Sequence, residues 1–339
     1  MDGVNHISVD KDNTRYTIVY DSILVETETN VMVSSCHHVE IPDTVTEIED
    51  EAFQDCKGMT SITIPNSVKR IGNNAFTRCT GLTSVTIPDS VTEIGKNAFI
   101  VCQGLTSVTI GNSVTEIGYG AFSFCSGLTN ITIPDSVTEI GENAFEGCTD
   151  LTSIVIPDSV TKIGEKAFFG CMGLTSITIP DSVKEIAFNA FKSCWRMTNV
   201  TIGKSVEYIG SMAFEGCTSL TSVTIGNSVT EIGVAAFKDC TSLTNIVIPD
   251  SVTEIGGSAF YGCTGLTSIT IPDTVTEIGY ETFRDCTGLT SVIIPNSVTF
   301  IRDNAFKGCT RLTNVTIPKS LANNSGDFLS KKVKINSMD

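Results

Sequence analysis

Thirteen cysteines, three histidines and two rows of carboxylates are the residues of this 339-residue chain whose types could do chemistry. Cys56, Cys79, Cys102 and their successors return every 23 residues as far as Cys309, and Cys36 precedes them. Cysteines bind metal or pair only where they converge, and here no C-x-x-C motif or regular histidine accompanies them. Equivalent residues of stacked turns stand about 4.8 Å apart with parallel Cβ vectors, too far and too parallel for the roughly 3.8 Å of a disulfide. The cysteines therefore read as small buried hydrophobes. The histidines are His6, His37 and His38. His38 and Glu40 would project outward together and could hold a metal, but an exposed substitution in an atypical first repeat is the simpler reading.

Glu47, Glu93, Glu116, Glu139, Glu185, Glu231, Glu254 and Glu277 share one repeat position, and Asp89, Asp135, Asp158, Asp181, Asp250 and Asp273 share another. Such rows could offer Ca²⁺ the about six to eight oxygens it takes. Arg70, Lys162, Tyr208 and Phe300 interrupt the glutamates, however, and no Gly-x-Asp repeat appears. The rows read as a solvated acidic edge that keeps the chain soluble. Acid–base or nucleophilic catalysis needs a group found once in a special environment. Here almost every polar residue recurs, as structural positions do. The expectation is a chain that is not an enzyme and needs no cofactor or metal.

The elements that carry these residues follow from the same period. Phenylalanine returns every 23 residues from Phe53 to Phe306, three residues before each cysteine. A self-similar period in the range of about 20–29 residues marks a leucine-rich-repeat-type solenoid. Leu82-x-x-Val85-x-Ile87 reads as a strand, Val85 and Ile87 facing inward and Ser84 and Thr86 outward. Pro88 ends it, Gly111, Gly203 and Gly226 taking that place in three turns. Asp89-Ser90 makes a turn whose hydroxyl can satisfy backbone groups. Val91-x-x-Ile94 supplies a second short strand, and Gly95 permits the bend that follows. Asn97-Ala98-Phe99-x-x-Cys102 reads as one helical turn with Phe99 and Cys102 on the core. The expected fold is a β-rich solenoid: a right-handed coil of 23-residue repeats, each a strand plus a short helical turn, with a parallel sheet on one face. At about 4.8 Å per turn, twelve repeats and a closing strand would rise about 60 Å.

Three segments are expected. Residues 1–35 carry strand-like runs and read as a β-hairpin cap over the first hydrophobic layer. Residues 36–318 form the repeat array. Residues 319–339 lose the period and read as a C-terminal cap or tail, with Phe328, Leu329, Val333 and Ile335 to cover the last turn and Lys331-Lys332-x-Lys334 as a solvated run. The N-terminus lacks the apolar core of an export signal, and no run is long enough to span a membrane. The net charge of −16 argues against nucleic acid or an anionic membrane as partner.

The consensus L-x-x-[IV]-x-I-P-x-[ST]-V-x-x-I-G-x-x-A-F-x-x-C over residues 36–318 resembles the BspA-like leucine-rich repeats of bacterial surface antigens and protist protein families. Asn13-x-x-Tyr16 and Asp21-x-x-Leu24 resemble the hairpin insert that introduces such arrays. Ser or Thr stands where the commoner leucine-rich repeat has a ladder asparagine. The resemblance implies adhesion or protein–protein binding at the cell surface or after secretion, without catalysis. With no export signal or anchor in view, an intracellular scaffold in the cytoplasm is the alternative. The expected partner is a protein, of a host or of the organism itself, or a glycan, met by a monomer.

Where it would bind is read from departures between repeats. The strand face is a nearly monotonous hydroxyl surface. Around the helical turn, Ile100, Val101, Tyr119 and Phe124 form one candidate cluster, and Phe169, Met172, Phe188, Trp195, Arg196 and Met212 a second. Other repeats mostly hold Lys, Glu, Gly, Ser, Thr or Asn there. Trp and Arg are enriched at binding hot spots, and contiguous exposed apolar patches often mark interfaces.

Overall fold

The computed structural model describes residues 16–19, 23–26, 31–35, 41–321 and 334–337. The chain divides into two compact units, Met1–Val160 and Thr161–Asp339. In each unit, parallel strands of successive repeats stack as the coils of a β-solenoid, and each residue pairs with its equivalent 23 positions on.

In the first unit the long strands Ser61–Thr63, Ser84–Thr86, Ser107–Thr109 and Asn130–Thr132 form one parallel seam, with Ser84 opposite Ser107 and Val85 opposite Val108. Their exposed–buried–exposed alternation puts Val85 in the core and Thr86 in solvent. The short strands Glu47–Ile48, Arg70–Ile71 and Glu93–Ile94 form a second seam. Ahead of it, Tyr16–Val19 and Ile23–Glu26 make an antiparallel hairpin extended by Val31–Ser35, which runs parallel to the first short strand through Val31–Glu47 and Met32–Ile48.

The second unit repeats the scheme. Its long strands include Ser176–Ile179, Asn199–Ile202 and Ser222–Thr224, then Ser268–Thr270, Ser291–Ile293 and Asn314–Ile317. Lys334–Ser337 adds in parallel to the last, with Ile335 opposite Val315. Phe328, Leu329 and Val333 lie outside the described residues, as do His6, Cys36, His37, His38 and Glu40 with the metal reading attached to them. The long-strand seam is interrupted at residues 151–157 and 243–249, where only a bridge from Val247 to Thr270 remains. There Val155 and Val247 replace the outward Thr and stand 79% and 71% exposed.

The third side of each coil departs from the expected helical turn. Asn97 and Val101 take positive φ values of 55° and 62°, which a helix does not contain, and both positions are left-handed throughout the repeats. Amide donors alternate in direction. Asn97, Phe99 and Val101 donate to Tyr119, Ala121 and Ser123 of the next coil, while Ala98, Ile100 and Cys102 donate three residues back within their own. The segment is thus a run of β-turns and a third inter-coil seam. Phe99 and Cys102 do face the core, as their spacing implies.

That core is a file of rings. In the first unit Phe53, Phe76, Phe99, Phe122 and Phe145 are buried and stacked at centroid spacings of 4.8 to 5.7 Å. In the second, Phe168 to Phe306 stack at 5.1 to 5.6 Å. The spacing follows the rise of the backbone seams. Beside the rings, Cys56 through Cys309 are buried free thiols. Each thiol with a resolved bond donates to a phenylalanine carbonyl of the preceding coil, as Cys102 does to Phe76 O at 3.0 Å. Ser136, Ser159, Ser251 and Thr274 bond not to one another but to the preceding coil's Val carbonyl, at 2.5 to 2.7 Å.

Candidate interaction surface

The turn seam presents its outward positions as columns, one residue per coil. In the first unit Val101 and Phe124 occupy successive places of one column at φ 62° and 57°. Other coils put Gly147, Gly170, Gly216, Gly262 and Gly308 there, as the left-handed conformation favours. A β-branched or bulky residue in this region is strained. Phe124 is 45% exposed, and its ring occupies the space a Cβ on Gly147 would need, 2.6 Å away. Tyr119, at the entry to the same turn, is 42% exposed. Ile100 and Val101 are half-buried.

In the second unit Met172 and Trp195 share a column on adjacent coils, and the Arg196 amide donates to Met172 O at 3.3 Å. Trp195 is 49% exposed and Arg196 is exposed. Phe169, three residues before Met172, is half-buried at the head of a column that continues with Lys192, Glu215 and Lys238. Lys192 and Lys238 grip Glu215 at 2.8 and 3.1 Å. Burial alone would raise the Glu215 carboxyl, but the two ammonium groups hold it below its ordinary value. Phe188 and Met212 sit apart, at the turn's entry: Phe188 is 38% exposed, and Met212, half-buried at φ 57°, lies 3.9 Å from Lys192 Nζ through its Sδ. Met172, Trp195 and Arg196 thus lie at the turn's exit, Phe169 within the turn, and Phe188 and Met212 at its entry.

Exposed apolar residues outside these clusters are Val155, Val247 and Ile293 on the long-strand seam, and Val234, Tyr280 and Phe300 in the second unit. The sequence carries a signal for them: each breaks a column otherwise filled mainly by polar residues.

Glutamate opens most of the short strands, so carboxylates stand side by side, Glu116 against Glu139 and Glu231 against Glu254. Burial and the neighbouring Glu254 push the Glu231 carboxyl up. Arg70 sits among Glu47, Asp50 and Glu93, 3.1 Å from Asp50 and 3.5 Å from Glu93. The aspartates serve the backbone, since Asp89 accepts the Asn112 amide and Asp181 the Lys204 amide, both at 2.7 Å across one coil. Among the described residues no three His, Cys, Asp or Glu gather as metal ligands, and no helix is long and apolar enough to cross a membrane. Cys217 and Cys309 are poor nucleophiles, since burial raises their thiols to about 12.

Stacked parallel coils of strand and turn around one file of core side chains define a solenoid of the leucine-rich-repeat class. The model of the BspA-type leucine-rich repeat region (6 copies) matches residues 31–152, 138–266 and 231–339. The chain belongs to the BspA-type leucine-rich repeat family, a class of protein-interaction modules. It is similar to a leucine-rich repeat protein from Bacteroides ovatus, with 34% identity over 88% of this chain and 77% of that one, at a TM-score of 0.81. A leucine-rich cell surface protein from Faecalibacterium prausnitzii shares 30% identity over 97% of this chain and 96% of its own, at 0.55. The pneumococcal vaccine antigen PcpA, 20% identical over 95% and 98% of the two chains at 0.52, shares the fold. No curated protein matches the chain.

Proposed function

We propose that this chain is a non-catalytic adhesin-type module of the cell surface that binds a protein partner through the outward columns of its turn seam. The observation that carries the reading is the set of large apolar side chains kept exposed there. Phe124 and Trp195 stand 45% and 49% exposed in columns that are otherwise mostly Gly or polar, Val101 and Met172 being the other apolar members. Val101, Phe124 and Met212 hold left-handed φ values. Of these Phe124 is exposed, and strain at an exposed residue points to a use for its side chain beyond folding. The similarity to a Faecalibacterium protein described as a cell surface protein supports the location.

The test is adhesion of beads coated with this chain to cultured epithelial layers. Wild type is compared with a Trp195→Ser, Phe169→Ser double variant whose melting temperature is measured alongside. Adhesion lost at unchanged melting temperature supports the reading. Equal adhesion by both proteins refutes the patch, and no adhesion by wild type refutes the adhesin. Antibody labelling of intact against permeabilised cells tests the location, and staining confined to permeabilised cells sinks it.

A further inference from the structure

In the second unit a groove of about 890 Å³ opens beside the short-strand seam. It is cut where the chain carries no side chain. The column after the bend reads Val234, Gly257, Tyr280 and Asp303 on four successive coils, so Gly257 leaves a gap between two exposed apolar neighbours. The preceding column lays Gly256 and Gly279 as the floor, where bare backbone is required: a Cβ on Gly256 would come within 2.6 Å of the Val234 amide. A Cβ on Gly257 would press on the next coil, 3.1 Å from the Tyr280 carbonyl oxygen, so the bare backbone here keeps the groove open. One rim is Glu254, exposed, with Glu231 beside it on the preceding coil.

How this glutamate column takes up a guanidinium is seen twice in the chain's own arginines. Arg70 enters the glutamate column of the first unit and reaches Glu47, Asp50 and Glu93. At the far wall of the groove, Arg302 replaces the bend glycine, lies with its guanidinium 5.1 Å from the Phe300 ring centre, and places Nε 2.5 Å from Glu277 Oε1. Both are guanidinium groups taken up by a carboxylate of this column, the second over an aromatic face. Arg302 thereby satisfies Glu277. Glu231 and Glu254 have no cation within ion-pair distance among the described residues, and burial and mutual repulsion raise the Glu231 carboxyl.

We propose that the groove over Gly256 and Gly257 receives an arginine side chain from a protein partner, its stem between Val234 and Tyr280 and its guanidinium on Glu254. The charge complementarity is local: with Glu277 neutralised by Arg302, Glu254 and Asp303 leave the groove negative, so a basic segment is admitted and an acidic one repelled. The assignment deepens the protein-binding reading and rests on it, but at a surface that leaves Trp195 and Phe169 untouched, so failure of the groove and failure of the turn-seam patch are distinguishable.

The probe is a fluorescent nonapeptide of Gly and Ser with one central Arg, and its Glu counterpart, measured by anisotropy at physiological salt with the full chain. The Arg peptide is expected to bind and the Glu peptide not. Glu254→Gln, Gly257→Leu and Tyr280→Ala should each weaken binding about tenfold, the scale of one charge-assisted contact. Glu116→Gln, the same column position in the first unit, should leave it unchanged. Tyr280 is exposed, so its variant keeps the test valid if Gly257→Leu perturbs folding. Equal loss with Glu116→Gln, or wild-type affinity in Tyr280→Ala and Gly257→Leu, would reduce the effect to nonspecific attraction by an acidic protein and overturn the assignment. So would failure of the wild type to bind, or displacement of the peptide by maltotriose but not by arginine amide.

Discussion

Truncating one ring inside the phenylalanine file measures what holds a coil to its neighbours. Phe237 is fully buried and stacks on Phe214 at 5.4 Å and on Phe260 at 5.6 Å. Its amide donates to Ala259 O at 2.8 Å, a bond that Phe237→Ala keeps. Removing the ring forfeits about 3 kcal/mol of burial and two stacked pairs at about 0.5–1.5 kcal/mol each. The expected cost is about 4–6 kcal/mol, from the upper part of the usual Phe→Ala range to just above it. Phe306, 4% exposed, stacks on Phe283 and on no second ring among the described residues, and its truncation should cost about 1 kcal/mol less, one pair. Urea unfolding of both variants is the assay, with curves fitted to a nearest-neighbour scheme because each coil contacts only its neighbours. Equal costs at the two sites, or a cost under about 2 kcal/mol at Phe237, would refute the idea that stacking between coils adds to burial within them.

Three further outcomes follow from the same geometry. Alkylating reagents should leave the twelve buried thiols of the native protein unmodified and label them after unfolding; with Cys217 and Cys309 at about 12, raising the pH to about 10 should not speed the native reaction. Glu231 has a raised folded carboxyl, so its ionisation lowers stability as pH climbs through and above the ordinary carboxylate range; Glu231→Gln should raise the melting temperature at neutral pH, by a few tenths of a kcal/mol, and lose that advantage near pH 4. Gly147→Ala should cost about 1–2 kcal/mol from its φ of 68° and more from collision with the Phe124 ring, whereas Gly216→Ala, with φ 74° and nothing nearer than 3.6 Å, should show the backbone cost alone in denaturant unfolding.

Legibility differed between the two ways a repeat encodes structure. Val85, Ile87, Val91, Ile94, Phe99 and Cys102 report the inward positions, and all six are buried. Phe99 and Cys102 alone do not separate a helical turn from consecutive β-turns, because both conformations put residues three apart on one face. The deciding residues stood beside them. Asn74, Asn97, Asn143, Asn189 and Asn304 recur in one left-handed column, and Gly147, Gly170, Gly216, Gly262 and Gly308 in the other, residue types that tolerate that conformation. Exposure at Phe124 and Trp195 was readable as departure from a polar consensus. The groove was not: Gly257 looks like one more glycine until Val234 and Tyr280 are set on either side of it by the stacking.

Pairing at a fixed offset of 23 has a consequence for how such a chain can change over generations. Ser84 meets Ser107 and Ser176 meets Asn199 through the same ladder, so within a unit the edge a coil offers is the edge it accepts. Excising one full period joins two edges that already match, while a loss of 22 or 24 residues would leave one coil a residue long or short and out of register with its neighbours. Unequal recombination between near-identical segments produces the first kind of event by its nature. Reach and the number of display positions can then vary from one lineage to the next by whole increments, with the phenylalanine file indifferent to the count and the outward columns free to be dealt in new orders.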